Sequence, residues 1–131
     1  MNCAYLLLLF VAAASAAITE HRITVKLSIP KGATVQLASL GYPNIPAAGT
    51  TNTWYLTSDE GTHIELTCDD IWVAPSKLCE KGWFKVVANG KTDKFCEMRP
   101  GYTAKSENNE MTVQIDLNAT TGRARCTAKS V

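Results

Sequence analysis

The stretch Cys79-Glu80-Lys81-Gly82-Trp83-Phe84-Lys85-Val86-Val87-Ala88-Asn89-Gly90-Lys91-Thr92-Asp93-Lys94-Phe95-Cys96 carries both signals that decide the fold class. Trp83 to Val87 is aromatic or β-branched at every position but Lys85, Asn89-Gly90-Lys91 is a turn, and Lys94 to Cys96 reads as a returning strand. The two cysteines flank that strand and hairpin, so they can meet as neighbours beside it. A hairpin framed by cysteines points to a small, disulfide-stapled β module.

The pattern continues in both directions. Arg22 to Ile29 alternates strictly, with Ile23, Val25, Leu27 and Ile29 on one face and Arg22, Thr24, Lys26 and Ser28 on the other. Pro30-Lys31-Gly32 closes it, and Val35 and Leu37 repeat it. Gly41 to Pro46 punctuates the chain, and the small, polar stretch up to Asn52 reads as a loop. Further strands are predicted at Trp54–Thr57, His63–Cys68, Ile71–Val73, Tyr102–Lys105, Met111–Leu117 and Arg123–Ala128. In the Met111–Leu117 strand, Met111, Val113, Ile115 and Leu117 face the core against Ile64 and Leu66, while Thr112, Gln114 and Asp116 face outward. Turns fall at Asp59-Glu60-Gly61, Asn108-Asn109 and Ala119-Thr120-Thr121-Gly122, and no segment after the first residues holds a helical period for three turns. Many short strands of even spacing mean an all-β sandwich or barrel.

The beginning of the chain differs in kind. Tyr5-Leu6-Leu7-Leu8-Leu9-Phe10-Val11 followed by Ala14-Ser15-Ala16 reads as a signal peptide over residues 1–16, cleaved before Ala17. The apolar run is too short to span a bilayer. Of the five cysteines in the 131 residues, Cys3 leaves with this leader, and Cys68, Cys79, Cys96 and Cys126 remain. Residues 17–131 form one domain, expected to be secreted into the extracellular space without membrane insertion. Four cysteines allow three pairings. Cys68 ends a middle strand and Cys126 sits in the last one, which suits a bridge between distant strands. A zinc site needs close C-x-x-C pairs, which these spacings do not provide.

The formal net charge of +1 argues against nucleic acid or an anionic membrane as the main partner. Charge is nevertheless uneven along the chain. Asp59, Glu60, Glu65, Asp69 and Asp70 precede a basic third containing Lys77, Lys81, Lys85, Lys91, Lys94, Arg99 and Lys105. A binding surface follows only if the fold gathers one sign on one side.

Several segments, in order, resemble the CUB domain family across nearly all of residues 17–131. Ser39-Leu40-Gly41-Tyr42-Pro43-Asn44 resembles its S-P-x-Y-P segment, Trp54-Tyr55-Leu56 its C-x-W-x-I strand, and Gly61 to Leu66 its G-x-x-I-x-L strand. Cys79 to Val86 stands at C-x-Y-D-x-L-x-I, Phe95-Cys96 at F-C-G, Ser106 to Val113 at S-x-x-N-x-L-x-V, and Gly122 to Cys126 at the terminal G-F-x-x strand. The resemblance implies a CUB-like antiparallel β-sandwich, a jelly roll of about ten short strands with two disulfides. It implies Cys79–Cys96 as the family's second bridge. The first bridge is replaced, because Asn52 stands where a cysteine is usual, and Cys68–Cys126 resembles the variant of arthropod single-CUB proteins, including those of hemipteran venom and saliva.

The same resemblance implies a non-catalytic protein that binds an extracellular protein or glycan as a monomer. The family's calcium site is not expected here, since Gly82 stands where one aspartate is usual and Asn118 falls near the other. Asp69 and Asp70, as neighbours on a strand end, should point to different faces. No metal or other cofactor is therefore expected. His21 and His63 have no partnered serine or carboxylate at a recognisable spacing, and no G-x-S-x-G is present. Trp54, Trp72 and Trp83 read as packing residues. Asn118-Ala119-Thr120 is a sequon and makes Asn118 a candidate for N-glycosylation. Two other functions compete with binding: inhibition of an extracellular protease through Lys91 or Lys94 beside the Asn89-Gly90 turn, and membrane-active toxicity, which the near-zero charge disfavours.

Overall fold

Arg22–Ile29 alternates because it is half-buried, and in the computed structural model, which describes residues 21–46 and 48–131, it is the edge of a five-stranded sheet. The segment expected to be a signal peptide, residues 1–16, lies outside the described residues, Cys3 with it. Nine strands follow in order: β1 His21–Ile29, β2 Thr34–Ala38, β3 Thr50–Ser58, β4 Ile64–Val73, β5 Trp83–Ala88, β6 Lys91–Phe95, β7 Tyr102–Lys105, β8 Glu110–Leu117 and β9 Gly122–Ser130. One sheet has the order β1-β3-β8-β5-β6 and the other β2-β9-β4-β7, which makes an all-β sandwich. Among the described residues, one 3₁₀ turn, Lys77–Cys79, interrupts the strands.

The inward faces of both sheets close one core. Val113 is 0% and Ile115 1% exposed on β8, and Ile64 and Leu66 on β4 are equally buried. Phe84, Leu56, Ile71, Val73, Ala124 and Ala128 complete the packing. Thr112, Gln114 and Asp116 are only partly covered, so the expected register of β8 holds.

Three expectations about the strands are corrected. The sandwich is not wholly antiparallel: β1 runs parallel to β3, with His21 opposite Thr50 and Ile29 opposite Ser58. After β1 the chain crosses to the other sheet as β2 and returns, and such a crossover brings the next strand back in the same direction. His63–Cys68 and Ile71–Val73 are one strand rather than two, because a β-bulge between Cys68 and Asp70 absorbs one residue. The phase shows it: Ile64, Leu66 and Cys68 are buried, then Ile71 and Val73. Finally, Thr50 to Asn52 belongs to β3 rather than to a loop. Asn52 is 4% exposed, and its Oδ1 accepts a hydrogen bond from the Leu40 backbone N–H at 3.1 Å, satisfying its polarity inside the protein.

Two disulfides staple this frame. Cys68–Cys126 joins directly paired residues of β4 and β9, and Cys79–Cys96 ties the 3₁₀ turn to the end of β6. Asn89 and Gly90 both have positive φ (57° and 69°), the two-residue turn that lets β5 and β6 pair tightly.

Candidate functional site

The outward faces of the two sheets handle charge in opposite ways. On the β2-β9-β4-β7 sheet, Glu65, Asp69 and Asp70 each face a cation, while Lys129 forms no ion pair among the described residues. Arg125 on β9 forks onto Asp69, and Arg123 Nε lies 3.0 Å from Asp70 Oδ2. Tyr42 donates its hydroxyl to Asp70 at 2.7 Å, and Lys105 Nζ is 3.3 Å from Glu65 Oε1. The Arg125 contact holds the Asp69 carboxyl below the usual carboxylate range, and the bond to Asp70 raises the Tyr42 hydroxyl.

This network corrects the expectation that Asp69 and Asp70 diverge. Arg123 and Arg125 sit two apart on β9 and so share a face, and both aspartates reach them. The bulge is the cause: two residues of β4 oppose one of β9 there, which turns the extra side chain to the same side.

The β1-β3-β8-β5-β6 sheet presents a different face. Thr24, Thr53, Gln114, Lys85 and Lys94 stand in one cross-strand row that spans all five strands. Trp83 Nε1 donates to Gln114 Oε1 at 3.3 Å, and Gln114 Nε2 donates to Thr53 Oγ1 at 2.9 Å, so the amide is fixed in orientation. Lys94 Nζ lies over the Trp83 ring, 4.1 Å from its centroid. Tyr55, 45% exposed, stands between two shallow depressions of about 430 and 280 Å³. Lys26 and Lys85 form no ion pair among the described residues.

Part of this row was readable from the turn. A two-residue Asn89-Gly90 loop pairs Ala88 with Lys91, and counting outward sets Lys85 against Lys94. The contribution of Gln114 and Thr53 depends on strand order, which no local pattern encodes.

The remaining sequence-selected residues are dispersed. Trp54 is core, while Trp72 and Trp83 are half-buried on the two outer faces. His21 begins β1, and His63 has Glu65 3.7 Å away; neither side chain hydrogen-bonds a serine among the described residues. Gly82 is a packing position, because a Cβ there would lie 2.5 Å from the Asp116 carbonyl oxygen, so an aspartate does not fit without moving the end of β8. Asn118 is exposed just after β8, its N–H donating to Asp116 Oδ1. No group of three or more His, Cys, Asp or Glu converges among the described residues. Calcium needs several free oxygens at one point, whereas Glu65, Asp69 and Asp70 each face a cation. Millimolar calcium is therefore expected to leave the melting temperature unchanged; a rise of several degrees would reveal a site these contacts do not show.

No family model matches the sequence, and no curated protein matches it either. Solved structures do match the fold. The full extracellular region of zebrafish Gpr126/Adgrg6 superposes with a TM-score of 0.69 at 19% identity, over 81% of this chain and 14% of that one. The CUB1-EGF-CUB2 domain of human MASP-1/3 gives 0.67 at 20% identity, over 75% and 41%. The MASP-1 CUB2 domain bound to Ca²⁺ gives 0.63 at 17% identity, over 78% of this chain and 96% of that one. The sandwich is thus CUB-like in fold, and the chain spans less than half of the first two structures.

Proposed function

We propose that this chain is a secreted, non-catalytic CUB-type protein that binds an extracellular protein or glycan. The observation that carries it is on the outer face of the β1-β3-β8-β5-β6 sheet, which holds an ordered polar row beside Lys26 and Lys85, neither in an ion pair among the described residues, whereas the carboxylates of the other face are each paired with a cation. Two disulfides support an oxidising compartment, and the leader-like residues 1–16 supply the route, leaving one domain from Ala17. A role in arthropod venom or saliva rests on the sequence resemblance alone. Among the described residues no helix is long and apolar enough to cross a membrane. Liposome leakage by the purified protein would revive the toxin reading. Exposure of Asn118 supports N-glycosylation, read as a mass loss on glycosidase treatment.

The protease-inhibitor alternative needs Lys91 or Lys94 on a protruding loop. Both lie in paired β6, and the Asn89 side chain is tied to Lys105 O and Glu107 N, which keeps the hairpin tip short. A panel of trypsin-like proteases tests that alternative directly.

The main reading is tested by expressing the full chain in secretory cells and probing arrays of extracellular proteins and glycans. Recovery from the medium with Ala17 at the N-terminus, and saturable binding lost on reduction, are the expected results. Retention in the cell, or no saturable binding to any arrayed class, would overturn it.

A further inference from the structure

We infer that the outer face of the β1-β3-β8-β5-β6 sheet is a docking site for a sulfated polysaccharide, centred on Lys85, Lys94, Trp83 and Gln114. The inference rests on the extracellular reading above and adds the face and the class of partner.

The starting point is an electrostatic oddity. Lys85 on β5 and Lys94 on β6 are direct cross-strand partners. Directly opposed residues have Cβ atoms about 5 Å apart, and like charges so placed are unfavourable. No carboxylate forms an ion pair with either lysine among the described residues. Asp93, the neighbour of Lys94, turns instead to the Tyr102 hydroxyl at 2.8 Å. Lysine on an edge strand such as β6 is a common guard against edge-to-edge pairing. That role accounts for Lys94 but not for Lys85, which lies on an interior strand. Lys94 rests over the Trp83 ring, but Lys85 beside it has no ion-pair partner among the described residues, and such a cation suits an anionic ligand.

The rest of the row defines what kind. Gln114, Thr53 and Thr24 offer fixed amide and hydroxyl groups suited to sugar hydroxyls, with Trp83 and Tyr55 as ring surfaces on the same face. Lys26 adds a cation three strands from Lys85 and two residues further along, about 16 Å away by strand spacing and rise. Cations outnumber carboxylates on this face, Arg22, Lys26, Lys85 and Lys94 against Glu110 and Asp116, and neutral donors lie between them, which suits a chain carrying both anions and hydroxyls. An acidic peptide fits less well, because it offers few hydroxyls to the fixed groups of Gln114, Thr53 and Thr24. Lys85 and Lys94, opposed across the β5–β6 pair, can both be met by a chain with more than one anion per disaccharide, which favours sulfated chains over glycans bearing only carboxylates.

The test uses the purified mature protein and heparin, with hyaluronan and poly-glutamate as competing probes. Lys85→Glu should weaken heparin binding by about tenfold or more, while Lys129→Glu, the same charge change on the opposite face, should weaken it by less than about twofold. Because Glu at 85 would oppose Lys94, the Lys85→Glu variant should melt no lower than the native protein, which separates lost binding from lost fold. If that variant does not fold, Lys85→Gln gives the same comparison. No heparin binding by the native protein would overturn the inference, as would equal losses in the two variants or equal affinity for hyaluronan or poly-glutamate. Absence of heparin binding leaves the extracellular reading intact, since export and array binding decide that separately.

Discussion

Truncating Ile115 to Ala is expected to cost about 2–5 kcal/mol, a large share of the stability of a domain this small. Ile115 is 1% exposed on β8, the central strand of its sheet, paired with Asn52 of β3 and Phe84 of β5. Its removed methyl groups face a closed core between two sheets, where neither neighbouring strand can move in without breaking its own pairing. Gln114, one residue earlier, gives the contrast. As an outward residue it would be nearly neutral to replace, yet its amide joins Trp83 to Thr53. Gln114→Ala should therefore cost about 1 kcal/mol, the usual net value of such hydrogen bonds. Denaturant melts of both variants decide the matter. Equal losses would mean that β8 is out of register by one residue.

That one-residue contrast also marks what a local pattern can and cannot carry. Alternation at Met111–Leu117 places Ile115 inside and Gln114 outside because a strand has period two, and burial follows from that alone. Period two says nothing about direction, so β1 reads the same whether it pairs parallel or antiparallel with β3. The bulge at Asp69 was in principle legible, because the apolar positions slip from even to odd after Cys68. Asn52 was not: its composition speaks for a loop, and only the bond from Leu40 N–H shows why a polar side chain is buried there. The candidate site divides in the same way. Lys85 against Lys94 follows from counting out of a two-residue turn, but Gln114 and Thr53 join them only through the order β3-β8-β5, which is set by packing of the whole chain. The chain-wide acidic-then-basic asymmetry was legible too, but its consequence was not. Folding matches Asp69 and Asp70 to Arg125 and Arg123 from the far end of the sequence, leaving Lys85 and Lys94 unmatched.

Replacing both Cys68 and Cys126 by Ala should destabilise the protein by about 4 kcal/mol, more than the about 3 kcal/mol expected for the Cys79 and Cys96 pair. The difference follows from loop length, since the bridges span sequence separations of 58 and 17. In the chain-entropy account the longer bridge removes more freedom from the unfolded ensemble. It also has little to add to the folded state, because Cys68 and Cys126 are already opposed in the hydrogen-bonded β4–β9 pair. The two side chains are 0% and 1% exposed, so the double truncation leaves some unfilled core volume, which acts in the same direction. The shorter bridge does a different job. It anchors the Lys77–Cys79 turn, where Leu78 and Cys79 hold positive φ and Leu78 is 87% exposed, so burial does little to hold Leu78 in place. Its loss should loosen that turn locally, seen as faster amide exchange there while β4 and β9 stay protected. Loss of Cys68–Cys126 should instead lower protection across every strand together. Denaturant melts and hydrogen exchange on the two double variants separate these outcomes, and equal losses of stability with the same exchange pattern would refute the distinction.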